Sequence, residues 1–264
     1  MTFNILISCM HQADTSIIKR SNVQSDVVVV NQCDHDSVEE FDFVNKKGKT
    51  CHAKFICTTE RGLSKSRNMA IRNAWGDVCQ ICDDDEWLAD DDEEVILRAY
   101  NQNKGAGVIT FALNRQDIEK SYSIVKKSLG LKEILRTSSQ QITFSRDLLC
   151  KANIRFDQKM GSGTGNGGGE ENRFLLDCRK IGFKMLYIPD IIATINKGES
   201  KWFKGYTEKY FRDRGWTSRR ILGFFMGYAF VLYNVINHHN EFTKDGLSLG
   251  KVLLNMSKGF FEKR

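Results

Sequence analysis

Four acidic residues in a row, Asp83, Asp84, Asp85 and Glu86, follow a short apolar run in this chain. That run, residues 78–82, has the length and composition of a buried strand, so the carboxylates are expected at the strand's carboxyl end. Adjacent carboxylates repel one another unless a cation or strong hydrogen-bond donors compensate. Open α/β sheets also bind ligands at this edge. The pattern favours a divalent metal that binds an anion such as a diphosphate; a solvated loop is the alternative.

A second acidic run, residues 90–94, lies just downstream. It directly precedes the apolar residues 95–97, and Asp90 with Glu93 fits the spacing of a helix capping box. Further acidic side chains in the first turn of a helix are favoured by the helix dipole. We therefore interpret this second run as the start of a helix and not as a metal site.

A glycine-rich stretch, residues 161–169, leads into the acidic pair Glu170 and Glu171. Such a stretch lets a ligand approach the backbone closely, but it does not follow the first strand, as a dinucleotide-binding fingerprint would. The two glutamates open a predicted helix, where the dipole alone favours acids. A carboxylate beside a glycine loop also suits a general base, so both explanations stay open here.

Arg67 and Asn68 lie in a segment, residues 64–75, whose apolar positions have helical spacing. Ser64 is the predicted N-cap of this helix. Lys65 and Arg67 would then occupy the first turn, where the dipole disfavours cations. An anion bound at the helix start would explain this placement; a solvated Arg67 is the alternative.

The elements that must position these residues begin with two apolar runs, residues 3–9 and 26–30. A helix-compatible segment, residues 14–22, separates them, so the chain is expected to start as a βαβ unit with parallel strands. Asn31 and Asp34 follow the second run. Short polar side chains at such an edge can bind a base or ribose, or can simply form a turn.

The remaining pattern also indicates an α/β fold. Residues 36–54 are polar and predict irregular structure. Residues 107–112, 138–144 and 184–189 predict further strands, and residues 146–152 predict a short helix.

The composition is that of a folded protein, with 264 residues that are 41% hydrophobic and 27% charged. The net charge of +6 comes from the last quarter, since residues 197–264 contain 13 Lys and Arg against 6 Asp and Glu. The eight cysteines are not preceded by a secretory signal, and Cys79 and Cys82 lie inside an apolar run. Buried free thiols in a reducing, cytoplasmic setting are therefore predicted.

Taken in order, these motifs resemble those of the bacterial family 2 glycosyltransferases. The shared order is a Gly-Leu-Ser-x-Ser-Arg-Asn helix, an apolar strand ending in Asp-x-Asp, a glycine-rich loop, a Glu-Glu helix and an Ile-Pro-Asp segment. The resemblance covers residues 3–195. It implies the GT-A fold, a Rossmann-like α/β domain with a mostly parallel central sheet flanked by helices, which binds a nucleotide sugar.

By this resemblance, Asp83 and Asp85 match the family's Asp-x-Asp. Asp85 would contact the metal that bridges the two phosphates, Asp83 the ribose or the metal shell, and Asp84 is included among the substrate contacts. Glu171 is expected to be the catalytic base. Glu170 remains the second candidate, because two glutamates stand where the family has a Glu-Asp pair.

The resemblance also assigns residues around the nucleotide. Arg67 and Asn68 match the Arg-Asn of the helix beside the nucleotide, and Asn31 and Asp34 match the edge that reads the base. Asn196 falls where many relatives carry a histidine, so no metal or substrate role is carried over to it.

The implied activity is an inverting single displacement assisted by Mn²⁺ or Mg²⁺. The donor is a nucleoside-diphosphate sugar, with a UDP-sugar favoured, and the acceptor is a glycan or polyprenyl-linked molecule of bacterial surface polysaccharide synthesis. A nucleotidyltransferase of similar fold is one alternative, although residues 10–13 lack the glycine-rich, basic loop it would need. A non-catalytic partner subunit that binds metal or nucleotide is another, and it would tolerate loss of Glu170 and Glu171.

We expect two parts, a GT-A domain at residues 1–200 and a basic, amphipathic helical extension at residues 201–264. Residues 221–236 carry no charge but fall short of the roughly 20 apolar residues that span a membrane. The extension is expected to pack on the catalytic domain, to lie peripherally against the inner face of the cell membrane, or both. No nucleic-acid partner is expected, because no binding motif accompanies the charge.

Overall fold

The computed structural model describes residues 1–116, 122–195, 205–243 and 246–264. The strands among them are β1 (Phe3–Met10), β2 (Val27–Gln32), β3 (Ser37–Val44), β4 (Thr50–Thr58), β5 (Val78–Asp83), β6 (Glu86–Leu88), β7 (Ala106–Arg115), β8 (Lys127–Ser128), β9 (Ile142–Ser145) and β10 (Lys184–Ile195). The helices are α1 (Ile17–Arg20), α2 (Leu63–Asn73), α3 (Asp92–Gln102), α4 (Leu131–Ile134), α5 (Arg146–Lys151), α6 (Glu170–Lys180), α7 (Glu208–Asn237), α8 (His239–Phe242) and α9 (Leu249–Phe261), with a 3₁₀ turn at Ser139–Gln141.

The strands form one mixed sheet in the order β3-β4-β2-β1-β5-β9-β7-β10-β6, and β8 pairs with β10. The run β4-β2-β1-β5 is parallel, as is the pair β7 and β10, while β9 lies antiparallel between the two groups. Strand β2 is buried along its whole length, which explains its unbroken run of valines. The expected α/β fold with a mostly parallel central sheet is confirmed.

The prediction of irregular structure for residues 36–54 is wrong. This segment forms most of the antiparallel hairpin of β3 and β4 at the edge of the sheet. Because β3 is an edge strand that is exposed along most of its length, it carries charged side chains where an apolar pattern would be expected. The chain pairs Glu40 with Lys54 at 3.0 Å and Asp42 with His52 at 2.8 Å across the two strands.

The second acidic run lies at the start of helix α3, as expected, but it does not form a capping box. Helix α3 begins at Asp92 after the N-cap Asp91, and neither forms the expected side-chain cap. Instead, the run faces the β3–β4 turn, where three lysines form ion pairs of 2.6–3.0 Å with its carboxylates. The pairs are Lys46 with Asp90, Lys47 with Glu94 and Lys49 with Glu93.

Helix α7 bends back on itself at Gly223, whose φ of 74° and ψ of −163° are not helical. After the bend, Asn234 accepts a hydrogen bond from Arg214 at 3.3 Å, so the two halves of α7 lie antiparallel. By length and composition α7 qualifies as a membrane-spanning helix. However, the 14 residues after Gly223 extend only about 21 Å, short of the roughly 30 Å hydrocarbon core.

Helix α9 packs tightly on α7 through two glycines. A side chain on Gly215 would overlap the carbonyl oxygen of Met256, and one on Gly259 would overlap that of Arg212. Val252, Met256 and Phe260 of α9 are buried here, whereas Leu249, at the start of the helix, is exposed. The C-terminal helices thus share a small core of their own.

These helices also pack on the α/β domain that contains the sheet, which is one of the two arrangements expected for the extension. Thr217 donates a hydrogen bond to the Gly168 carbonyl at 3.3 Å, and Lys209 donates to that of Gly165 at 3.0 Å. Arg220 forms an ion pair with Asp157, to which its Nε and Nη2 both donate hydrogen bonds. The glycine-rich stretch is therefore held from outside by the extension. Asn196 lies outside the described residues.

Candidate active site

Arg67 is the centre of the candidate site. Its side chain is only 1% exposed and joins two carboxylates, Asp83 at 2.8 Å and Glu170 at 2.9 Å. A buried charge is tolerated only when it is paired and hydrogen-bonded. Arg67 therefore neutralises acids of the site. The alternative of a solvated Arg67 is therefore wrong, and its guanidinium is already paired within the protein.

The second turn of α2 places Arg67 at the carboxyl end of β1 and β5. Ser66 donates to Ser8 at 3.0 Å, and Ser8 lies opposite Asp83 in the β1–β5 register. Helix α2 begins at Leu63 with Gly62 as its N-cap. Ser64 is not the N-cap, because its hydroxyl donates instead to the Met160 carbonyl at 2.8 Å, which ties α2 to the glycine-rich stretch.

The absence of a side chain at Gly161 leaves room for Glu170. A Cβ at Gly161 would lie 3.0 Å from the Glu170 carboxyl carbon and 3.3 Å from the Ser64 hydroxyl. Gly161 also has a φ of +93°, which disfavours any other residue. The glycine-rich stretch thus lets α6 bring its first carboxylate against Arg67.

The acidic edge is shaped by residues that the sequence did not indicate. Asp83 accepts from the Ser139 hydroxyl at 3.0 Å, and Asp85 accepts from the Gln140 amide at 3.4 Å. The Asp83 amide donates to the buried Glu86 carboxyl at 2.6 Å. Ser139 and Gln140 lie on the 3₁₀ turn before β9, more than fifty residues from the acids they contact, so no local pattern reveals them.

Negative charge exceeds positive charge at this edge. Partial desolvation and the charges of Asp83 and Asp84 raise the pKa of Asp85. Burial, followed by the charge of Asp83, raises the pKa of Glu86 well above its usual range, and one of its oxygens has no partner among the described residues. An added divalent cation would relieve this repulsion. Carboxylate oxygens on an exposed turn are ligands that suit Mg²⁺ or Mn²⁺, so the site fits such an ion.

The two glutamates of α6 differ in environment. Glu170 is buried and held by Arg67, which limits it to one orientation. Glu171 is half-buried, and burial, followed by the charge of Glu170, raises its pKa to about 8. A carboxyl group with a pKa near neutrality is suited to proton transfer at physiological pH. The geometry therefore favours Glu171 over Glu170 as the group that takes a proton.

Asn31 and Asn68 cannot contact a ligand directly in this structure. Asn31 is fully buried, and its amide exchanges two 2.9 Å hydrogen bonds with the backbone of Gln12. Asn68 is also buried and exchanges two 2.8 Å hydrogen bonds with the backbone of Phe156. In this structure each amide is therefore used to hold a loop at the rim of the site.

Among the predicted substrate contacts, Asp34 and Asp84 are exposed. The Asp34 side chain is 88% exposed and pairs with Arg61 at 2.8 Å. Arg61 also donates to the Cys33 and Thr58 carbonyls, which fixes the end of β2. Asp34 therefore stands on a braced rim, accessible to a ligand.

Comparisons with known proteins identify the family of this chain. A sequence family described as glycosyl transferase family 2 matches residues 4–161. The chain belongs to this family, and it is a glycosyltransferase with a GT-A fold. A search of curated proteins finds no significant match.

Solved structures show the same fold at low sequence identity. Staphylococcus aureus TarS 1–349 in complex with UDP-GlcNAc is 16% identical, with a TM-score of 0.65 over 97% of this chain and 79% of that one. A longer S. aureus TarS structure is 14% identical, with a TM-score of 0.59 over 92% and 45% of the two chains. The mannosyltransferase PcManGT from Pyrobaculum calidifontis, in complex with GDP-Man and Mn²⁺, is 14% identical, with a TM-score of 0.50 over 98% and 73%.

Proposed function

We propose that this chain is a metal-dependent, inverting glycosyltransferase. It moves a sugar from a nucleoside-diphosphate sugar to a glycan or polyprenyl-linked acceptor in bacterial surface polysaccharide synthesis. The observation that carries the proposal is the cluster at the carboxyl edge of the sheet, where Arg67 joins Asp83 to Glu170 beside Asp85 and Glu171. A UDP-sugar is the favoured donor, since a structural neighbour binds UDP-GlcNAc.

In this proposal each side chain has a separate task. Asp85, with Asp83 and Asp84 beside it, would hold Mn²⁺ or Mg²⁺, and the ion would supply positive charge against that of the departing nucleoside diphosphate. Glu171 takes the proton of the acceptor hydroxyl as that oxygen attacks the anomeric carbon. Arg67 and Glu170 hold the start of α6 beside Asp83, which keeps the proposed base close to the acidic turn after β5. Asp34 contacts the nucleoside from the rim.

The donor site is tested with Asp85→Asn, which removes one carboxylate charge and keeps the shape. UDP with Mn²⁺ should stabilise the wild-type protein by about 2.7 kcal/mol at a hundredfold excess over its dissociation constant. We expect Asp85→Asn to lose this thermal shift and the transferase activity. Asp90→Asn, from the second acidic run, should keep both. A wild-type protein that gains no stability from any nucleoside diphosphate with metal would contradict the proposal.

We also propose that residues 201–264 form an extension that binds the surface of an anionic membrane. Phe224, Phe225 and Phe261 form a contiguous aromatic cluster, and Phe225 is 85% exposed. The Arg219 guanidinium lies 4.6 Å from the centroid of the Phe224 ring. Apolar rings rimmed by cations suit the interface of a bilayer, where a lipid-linked acceptor would lie.

The membrane proposal predicts that Phe225→Ser combined with Phe261→Ser abolishes vesicle binding. Full burial of one such ring contributes about 1.5–3 kcal/mol, so affinity for phosphatidylglycerol vesicles should fall at least about a hundredfold. Sedimentation with vesicles measures this, and Val44→Ser, an exposed apolar residue on β3, is the control. Unchanged vesicle binding, or dimers in solution that the double variant disrupts, would reject a membrane in favour of another occupant.

A further inference from the structure

Two cysteines and a histidine meet beside the candidate donor site, on residues that the transfer reaction does not use. Cys33 and Cys57 are buried, and His35 is exposed. The register pairs Asn31 of β2 with Cys57 of β4, so Cys33, two residues beyond Asn31, extends from the same face of the sheet as Cys57. All eight cysteines of the chain are free thiols.

The spacing of their ligand atoms suits a tetrahedral metal. The two sulfurs and the imidazole nitrogen lie within 4.8 Å of one another, and Cys33 Sγ is 3.7 Å from His35 Nδ1. In a tetrahedral zinc site, Zn–S bonds of about 2.3 Å and Zn–N bonds of about 2.0–2.1 Å place neighbouring ligand atoms roughly 3.6 Å apart. Only small side-chain rotations would bring the three atoms around one ion.

Hydrogen bonds from neighbouring residues already orient the cluster. The Asn31 amide donates to Cys57 Sγ at 3.5 Å, a contact that strengthens when the sulfur becomes an anion. The Arg61 guanidinium donates to the Cys33 carbonyl at 2.7 Å and holds the loop that carries Cys33 and His35. Such outer contacts orient metal ligands before the ion binds.

We propose that Cys33, His35 and Cys57 bind one Zn²⁺, separate from the ion at Asp85. The two thiols release their protons to solvent on binding, the imidazole coordinates through its unprotonated Nδ1, and water fills the fourth position on the exposed side. Soft thiolates select zinc, whereas the carboxylate edge selects Mn²⁺ or Mg²⁺. Because Asp34 lies between Cys33 and His35, the ion would fix the rim that faces the donor.

Cobalt substitution of the full-length protein tests the site directly. Co²⁺ bound to thiolates gives an intense charge-transfer absorption in the near ultraviolet, which a carboxylate site does not give. We expect this band at one equivalent of Co²⁺, its displacement by one equivalent of Zn²⁺, and its loss in Cys33→Ser and Cys57→Ser. Cys150→Ser, at an exposed cysteine outside the cluster, and Asp85→Asn should retain it.

His35→Ala keeps the test decisive if the buried cysteine variants fail to fold, because His35 is exposed. Outer-shell partners alone change metal affinity about 10–100-fold, so loss of this ligand should weaken Zn²⁺ binding at least a hundredfold. Absence of the thiolate band in the wild-type protein, or its persistence in the cysteine variants, would overturn the proposal. Isolation of a Cys33–Cys57 disulfide from cells lysed into an alkylating agent would also overturn it. None of these outcomes depends on transferase activity.

Discussion

Replacing Arg67 with methionine is expected to lower the free energy of unfolding by about 3–5 kcal/mol, since breaking a buried ion pair leaves its partners uncompensated. Asp83 and Glu170 would both lose the guanidinium that now lies 2.8 and 2.9 Å from them. Methionine can retain the contact that Arg67 makes with the Phe156 ring. The decrease in the free energy of unfolding should therefore reflect the lost charge more than lost packing. The measurement is urea-induced unfolding followed by circular dichroism.

An exposed ion pair on the surface tests whether this loss of stability depends on burial of the charges. Arg98→Met is the matched control, because its ion pair with Asp190 is largely exposed and should contribute less than about 1 kcal/mol. Equal midpoints for Arg67→Met and the wild-type protein would contradict the assigned role of the buried arginine.

Replacing Glu171 with glutamine is expected to lower kcat by about 10²–10⁴-fold, the usual contribution of a general base. Donor binding should be unchanged, because the carboxamide keeps the shape and Glu171 is not assigned to the nucleotide. Glu170→Gln is the informative comparison, since it removes a partner of Arg67 and should destabilise the fold. Rates measured with a fixed UDP-sugar and acceptor, alongside thermal unfolding, separate the two effects. A Glu171→Gln enzyme with wild-type kcat would contradict the assignment.

The raised pKa of Glu171 also predicts how kcat/KM and stability depend on pH. A base whose pKa is raised to about 8 by burial accepts protons from substrate only once it is ionised, so kcat/KM should rise with pH and level off near that value. Stability has the opposite trend. Between the ordinary glutamate pKa and about 8 the folded state binds more protons than the unfolded state, so this group makes stability fall as the pH rises. Glu171→Gln should flatten both curves.

The location of the site follows from the sequence because strand ends define it. Asp83 is the last residue of β5, Asp85 follows two residues later, and Glu170 opens α6 after the glycines. Parallel strands end at a common edge, so the order of the motifs is enough to bring the acids together. The unbroken apolar run of a buried strand such as β2 is likewise a local property of the sequence.

The roles of individual polar residues could not be predicted in the same way. Arg67, Asn31 and Asn68 were expected to face ligand, yet each is buried against a partner distant along the chain. A residue type does not reveal whether its hydrogen bonds go to a substrate or to a backbone. Ser139 and Gln140 were missed for the same reason, since their importance depends on contacts made only in the folded sheet.

The two ion pairs of Arg67, with Asp83 and with Glu170, can form only in a fixed order during protein synthesis. Arg67 and Glu170 are separated by 103 positions, so at about 5–20 residues per second the arginine leaves the ribosome roughly 5–20 s before its second partner. During that interval Arg67 and Asp83 can already pair as a neutral unit inside the forming N-terminal half. The helix that carries the proposed base is synthesised later than both of these residues. A newly made chain can therefore close its nucleotide-binding half before it acquires the group that would make it a catalyst.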